Sequence, residues 1–149
     1  MGVHLFPDSN SKPFLTPFLA LQDIMENVGY DPNNVVATIH CGKFNHVMGT
    51  QIGKSTPVSD PHNQFHVYSI DWTPTHIKGY LDGVNYFSYA KSDGSFEAWP
   101  FDTNFNIIVN NAIGGAWGGA MGVDDAAFPK QYTIDYVRVY QSGTHGAVF

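Results

Sequence analysis

Two carboxylates three residues apart, Asp23 and Glu26, have the types and spacing that suggest acid–base chemistry. Two carboxyl groups on one face can donate and accept protons around one reacting bond. On a regular strand side chains alternate, so positions 23 and 26 would face opposite ways. A β-bulge inserts one residue and would return Glu26 to the face of Asp23. Two acids at this spacing on a polar strand edge are usually just solvated, and both interpretations stay open at this point.

Short strands joined by turns must position this pair. Runs rich in β-branched and aromatic residues predict strands at 35–40, 65–72, 76–81, 84–89, 104–109 and 132–140. Asp82-Gly83 predicts a type I′ hairpin turn, and five glycines around Trp117 predict a loop at 114–122. Prolines in the first twenty or so residues predict an irregular head. This pattern indicates an all-β sandwich or jelly roll.

Length, charge and cysteine content exclude several classes of protein. The chain has 149 residues, the size of one domain, with 13% charged and 15% aromatic residues. A net charge of −6 with only seven Lys and Arg leaves no basic stripe for nucleic acid. Cys41 is the only cysteine, so neither an intrachain disulfide nor a thiolate metal cluster is expected. We expect no membrane span and recognise no signal peptide, because residues 14–21 contain Pro17.

The stretch from Asp23 to Tyr30 resembles the signature strand of glycoside hydrolase family 16, in its bulged, laminarinase-type form Glu-x-Asp-x-x-Glu. Segments similar to this family continue in order at 38–40, 44–46, 49–51, 65–74, 80–83, 100–102, 110–117 and 134–140. The resemblance implies a concanavalin A-like jelly-roll β-sandwich that is incomplete at its N-terminal side. Residues 22–141 would form the C-terminal portion of such a domain, after an atypical head at 1–21 and before a tail at 142–149.

The resemblance also implies an activity, that of a retaining endo-β-1,3-(1,4)-glucanase acting on O-glycosidic bonds of β-glucans such as laminarin. Carried onto this chain, Glu26 is the acid/base and Asp23 the assisting carboxylate. Leu21 stands at the nucleophile position and Gln22 in an aliphatic slot. Because Leu21 cannot attack an anomeric carbon, we expect impaired hydrolysis. The alternatives are a non-catalytic, lectin-like carbohydrate-binding protein and a nonfunctional truncated fragment.

Further site residues follow from the same resemblance. His40 is expected in the cleft beside the acid/base, where it could hydrogen-bond a carboxylate; the alternative is a structural histidine. Trp117, Trp99, Asn110 and His46 are expected to contact the sugar. For Trp117 the glycine-rich surroundings favour an exposed stacking platform, whereas for Trp99 core packing competes with sugar binding.

Cofactor, partner and location are implied less directly. Asp135 matches an acid that helps to hold a structural Ca²⁺ in many relatives, although no cofactor is required for the reaction. The histidines show no metal-ligand spacing, so no zinc site is predicted. The expected partner is a β-glucan polysaccharide or oligosaccharide, and the family implies an extracellular or periplasmic location.

The atypical head carries two expectations of its own. Its abrupt junction with the family pattern suggests a frameshift or wrong start upstream of Gln22. A half jelly roll would leave strand edges unpaired, which favours self-association. The alternative is a rearranged head strand that covers the gap.

Overall fold

A computed structural model describes residues 1–7 and 20–141 of the chain. Eight strands form two antiparallel sheets, a five-stranded sheet in the order β4-β3-β2-β1-β8 and a three-stranded sheet in the order β5-β6-β7. The strands are β1 Gly2–Pro7, β2 Leu21–Val28, β3 Asp31–His40, β4 Ile52–Pro57, β5 Tyr68–Trp72, β6 His76–Leu81, β7 Val84–Ala90 and β8 Phe105–Asn110. One 3₁₀ turn covers Asp125–Ala127. Among the described residues, no helix has the length and hydropathy of a membrane-spanning segment.

The core lies between the two sheets, as expected for an all-β sandwich. Val35 and Ile39 on β3 are 0% exposed, because alternate side chains of that strand point at the three-stranded sheet. Ile39 belongs to a cluster that includes Ile77 and Phe87 from β6 and β7. The β-branched run at 35–40 is therefore confirmed as a strand with one buried face.

The hairpin between β6 and β7 has the predicted turn. Asp82 and Gly83 have φ angles of 50° and 80°, the two positive values of a type I′ turn. The Asp82 carboxylate accepts a hydrogen bond from the Val67 N–H at 2.8 Å and pairs with the His66 imidazole at 2.7 Å. The turn is thus tied to the segment that leads into β5.

The expectation of an irregular head is wrong for residues 2–7, which form β1. This strand pairs with β2 on one side and β8 on the other. Val3 and Leu5 point at the core and alternate with His4, which points to the opposite side, so the segment has the period of a strand. A head strand therefore fills the position beside β2, which was the alternative to self-association through unpaired strand edges.

The strand expected at 132–140 is not formed. Residues 131–140 belong to neither sheet, and Ile134, Val137 and Val139 are 44–49% exposed. A strand requires a neighbouring backbone that accepts and donates its ladder hydrogen bonds. In the described part of the chain no strand pairs with this segment, so its β-branched residues do not form one.

Candidate active site

The predicted pair of carboxylates lies on β2, in the middle of the five-stranded sheet. The pairing of β2 with β3 shifts register between Asp23 and Glu26, which is the predicted bulge. Asp23 is opposite His4 on β1, and Glu26 is opposite Gly2. Directly paired residues point to the same side of a sheet. We call this side the outer face: it is turned away from the three-stranded sheet and carries His4, Asp23, Glu26 and His40.

Two histidines hold the Asp23 carboxylate. His4 Nδ1 lies 2.5 Å from Asp23 Oδ1, and His40 Nε2 lies 3.3 Å from Asp23 Oδ2. Asp23 is 2% exposed and His4 8% exposed. One nitrogen of His4 and one oxygen each of Asp23 and Glu26 all lie within 4.8 Å of one another. The outer face therefore gathers four titratable side chains around one partly buried point.

The surroundings move the protonation equilibria of these groups in different directions. The hydrogen bond to Asp23 raises the pKa of His4 above its ordinary value. Burial alone would raise the pKa of Asp23, but the hydrogen bonds from His4 and His40 together outweigh it and lower that pKa. Burial first, and the negative charge of Asp23 second, raise the pKa of Glu26 to about 7. Near neutral pH Asp23 is ionised beside a Glu26 that carries a proton much of the time.

This arrangement suits a proton donor better than a nucleophile. A carboxylic acid with a raised pKa beside an ionised carboxylate is the pattern of a general acid. Leu21, opposite His40 on the same face, offers no nucleophilic atom. Glu97 lies beside Gly42 in the loop before Trp99 and is not among the charged groups that shift the pKa of Glu26.

Three of the predicted sugar contacts lie in exposed positions. Asn110, at the end of β8, is opposite Gly2 and therefore shares the outer face with Glu26. Trp117 is 44% exposed in the glycine-rich turns after β8. The exposed His46 packs the edge of its ring on His40, with centroids 5.6 Å apart. Their contact with a sugar stays a prediction.

The prediction that Trp99 binds substrate is wrong. Its side chain is 3% exposed and stacks on Tyr89, with ring centroids 5.5 Å apart. The indole N–H donates to Asp102 Oδ1 at 2.9 Å, which satisfies the polar end of the ring. Trp99 is part of the core between the sheets, where a sugar cannot reach it.

Asp135, the predicted calcium ligand, lies exposed in the segment that follows the 3₁₀ turn. In the described residues, groups of three or more His, Cys, Asp and Glu with ligand atoms close together do not include it. Calcium needs six to eight oxygen ligands. Its binding at Asp135 stays a prediction.

Sequence reasoning missed His4 and Gly2. Val3 and Leu5 alternate with His4, and this short period-two pattern was the signal available for a strand. The sequence does not show why position 2 is a glycine, because the reason is a contact in the folded chain. A Cβ on Gly2 would lie 2.1 Å from His4 Nε2. Gly2 therefore leaves the space that the imidazole occupies above the sheet.

A jelly-roll sandwich with an acid pair on a bulged inner strand defines a class, the β-sandwich glycoside hydrolases. The family described as Glycosyl hydrolases family 16 matches residues 22–138. The chain belongs to glycoside hydrolase family 16.

Individual relatives agree with this family and fold. A β-glucanase of Rhodothermus marinus is 45% identical over 80% of this chain and 43% of its own length. The crystal structure of the laminarinase from Rhodothermus marinus superposes with a TM-score of 0.76 and 36% identity, over 86% of this chain and 55% of that one. The laminarinase from Flavobacterium sp. UMI-01 gives a TM-score of 0.75 at 33% identity, over 86% and 54%. The chain thus spans about half the length of these relatives.

Proposed function

We propose that the outer face binds a β-1,3-glucan or mixed-linkage β-glucan of the laminarin type and that Glu26 is the proton donor to its glycosidic oxygen. The observation that carries this proposal is the placement of Asp23 and Glu26. Their carboxylate oxygens lie within 4.8 Å of each other, on the strand that matches the signature of the family. The laminarinases and β-glucanase to which the chain is similar support the choice of substrate.

Glu26 has the features that its role requires. It is half-buried on the outer face beside Gly2, a position without a side chain that could block approach. Its raised pKa keeps a proton available near neutral pH. The negative charge of Asp23 contributes to the raised pKa of Glu26. His4 and His40 fix the orientation of the Asp23 carboxylate.

The nucleophile is the missing part of the reaction. Retaining hydrolysis needs a second carboxylate about 5–5.5 Å from the acid, able to attack the anomeric carbon. Asp23 does not serve, because both of its oxygens contact imidazoles and its side chain is 2% exposed. We therefore expect slow hydrolysis. Leu21 also favours a second candidate function, a binding protein that holds β-glucan without cleaving it.

Two measurements on laminari-oligosaccharides test this proposal. Calorimetry reports binding, and a reducing-sugar assay reports cleavage. Leu21 faces the same side as His40 and Asp23, so Leu21→Glu restores a carboxylate at the nucleophile position. We expect saturable binding by the natural chain, little product, and a clear gain of product in Leu21→Glu.

Glu26→Gln, made in the Leu21→Glu background, provides the decisive control. It should reduce the restored hydrolysis by at least about a hundredfold, the lower end of what a general acid contributes. The matched variant Glu97→Gln changes an exposed glutamate outside the site and should leave the rate unchanged. Binding without any gain of product in Leu21→Glu would favour the binding protein. Absence of both binding and product would refute the proposal.

A further inference from the structure

The residues on the outer face also have the chemistry of a metal site. We propose that His4, Asp23 and Glu26 bind one divalent transition-metal ion, with Zn²⁺ as the preferred ion. His4 lies in the head, outside the segment 22–138 that matches the family. Asp23 and Glu26 lie within that segment and are the carboxylates of the proposed acid/base site, so His4 alone distinguishes the metal site from it. An ion bound to Glu26 replaces the proton that hydrolysis requires, so a chain that holds the ion does not hydrolyse, and the metal proposal does not rest on β-glucan hydrolysis.

The geometry carries this proposal first. One nitrogen and two carboxylate oxygens from the three residues already lie within 4.8 Å of one another. Zinc binds imidazole nitrogen and carboxylate oxygen at about 2.0–2.2 Å, so ligand atoms on a tetrahedral ion are roughly 3.5 Å apart. His4 Nδ1 is hydrogen-bonded to Asp23 Oδ1 at 2.5 Å, so an ion replaces the proton of that bond and the two side chains rotate apart by about 1 Å. The pairing of β1 with β2 keeps the two backbones side by side while they do so. Three protein ligands leave a fourth position open for water or a ligand.

Burial and the neighbouring histidine support the site further. His4 and Asp23 are 8% and 2% exposed, so little conformational freedom remains to be lost when an ion binds. His40 Nε2 contacts the second oxygen of Asp23 at 3.3 Å. Such an outer hydrogen bond orients a metal-binding carboxylate. Gly2 leaves room for the His4 ring, since a Cβ there would lie 2.1 Å from its Nε2.

The ligand set selects the class of ion. Imidazole together with carboxylates suits zinc and its first-row neighbours. Calcium and magnesium prefer six or more oxygen ligands, which these three side chains do not supply. The proposal is therefore a site for Zn²⁺, with Co²⁺ as a spectroscopic substitute.

The test uses the full chain after removal of metal with a chelator and dialysis, in the absence of sugar. Zn²⁺ is titrated by calorimetry, and Co²⁺ is titrated while its visible absorption is followed. We expect one equivalent to bind, with the absorption of a four-coordinate ion and a raised melting temperature. His4→Gln and Glu26→Gln should each weaken binding at least tenfold, by about 1.4 kcal/mol.

Matched variants separate this site from other histidines. His62 is exposed and outside the cluster, so His62→Gln should keep the natural affinity. Circular dichroism shows which variants are folded, and Glu26→Gln decides the outcome if His4→Gln does not fold. Absence of saturable binding to the natural chain would overturn the proposal. Binding that is unchanged in the folded variants would overturn it too, as would binding lost equally in His62→Gln. The test is independent of hydrolysis, since Leu21→Glu and the glucan assays play no part in it.

Discussion

Two strands of the five-stranded sheet, β3 and β8, contain similar residues in different surroundings. On β3, Val35 and Ile39 are 0% exposed beneath the three-stranded sheet. On β8, Ile107 and Ile108 are 40% and 38% exposed. Both strands are rich in β-branched residues and both are paired, so strand formation does not explain the difference. Burial depends on what packs across the sheet, and among the described residues β8 lacks the cover that β3 has.

The same contrast explains the segment at 131–140, where Ile134 is 49% exposed. Its composition is that of a strand, but no described strand lies beside it. We therefore expect the covered region to contribute more to the stability of the fold than the uncovered region does. Substitutions in the two regions measure that difference.

The largest expected effect comes from Trp99→Ala in the covered core, compared with Ile107→Ala on β8. Trp99 packs on Tyr89 and Phe101, so its removal leaves a cavity and should cost about 3–5 kcal/mol of unfolding free energy. Ile107→Ala removes a side chain that is already 40% exposed and should cost about 1 kcal/mol or less. Urea unfolding curves for both variants provide the comparison. Equal losses would show that β8 is covered as fully as the core.

Gln22→Leu tests the covered core by a substitution that should increase the unfolding free energy instead of lowering it. Gln22 is 1% exposed between Leu5 and Ile39, and within residues 1–7 and 20–141 neither its amide nitrogen nor its amide oxygen has a hydrogen-bond partner. A buried unsatisfied amide costs about 1–3 kcal/mol, so the apolar side chain should raise the unfolding free energy by that amount.

The control for Gln22→Leu is Gln51→Leu, at an exposed position. Exposed substitutions change stability by about 0.5 kcal/mol or less. A matching gain at position 51 would mean that hydrophobicity alone, rather than relief of a buried amide, accounts for the result. The same urea unfolding measurement serves both variants.

Local sequence predicted those parts of the fold that depend on local chemistry. The β-branched run at 35–40 and the Asp82-Gly83 turn specify their own conformations, and both are confirmed. The bulge at Asp23 and Glu26 was predicted too, although from the resemblance more than from the spacing.

Features that depend on distant partners could not be predicted in this way. Residues 2–7 form β1 and residues 132–140 form no strand, because strand formation depends on which backbone lies beside each segment. His4 was missed because its partner Asp23 is nineteen residues away and is reached only through the pairing of β1 with β2. Trp99 was misassigned for the same reason, since its burial comes from packing with Tyr89 on β7.

The smallest expected effect concerns Asp82, an exposed counterpart of the buried Asp23. The hydrogen bond from His66 lowers the pKa of Asp82 below its ordinary value of 3.8, with the Val67 N–H contributing as well. A lowered pKa in the folded state means that the ionised form is favoured by folding. Its contribution is therefore fully present above pH 4 and is lost as the pH falls through the lowered value.

Solvent limits the size of this effect, because the Asp82 side chain is 51% exposed. We expect the contribution to be below about 1 kcal/mol. Asp82→Asn keeps a residue that tolerates the positive φ of the turn, so the acid-dependent part of the stability should disappear while the hairpin remains. Melting temperatures of the two proteins between pH 2 and pH 6 measure the difference. If Asp82→Asn lost several kcal/mol at neutral pH, the pair of Asp82 and His66 would be as strong as a fully buried pair. The contrast between covered and uncovered regions would then not apply to charged groups.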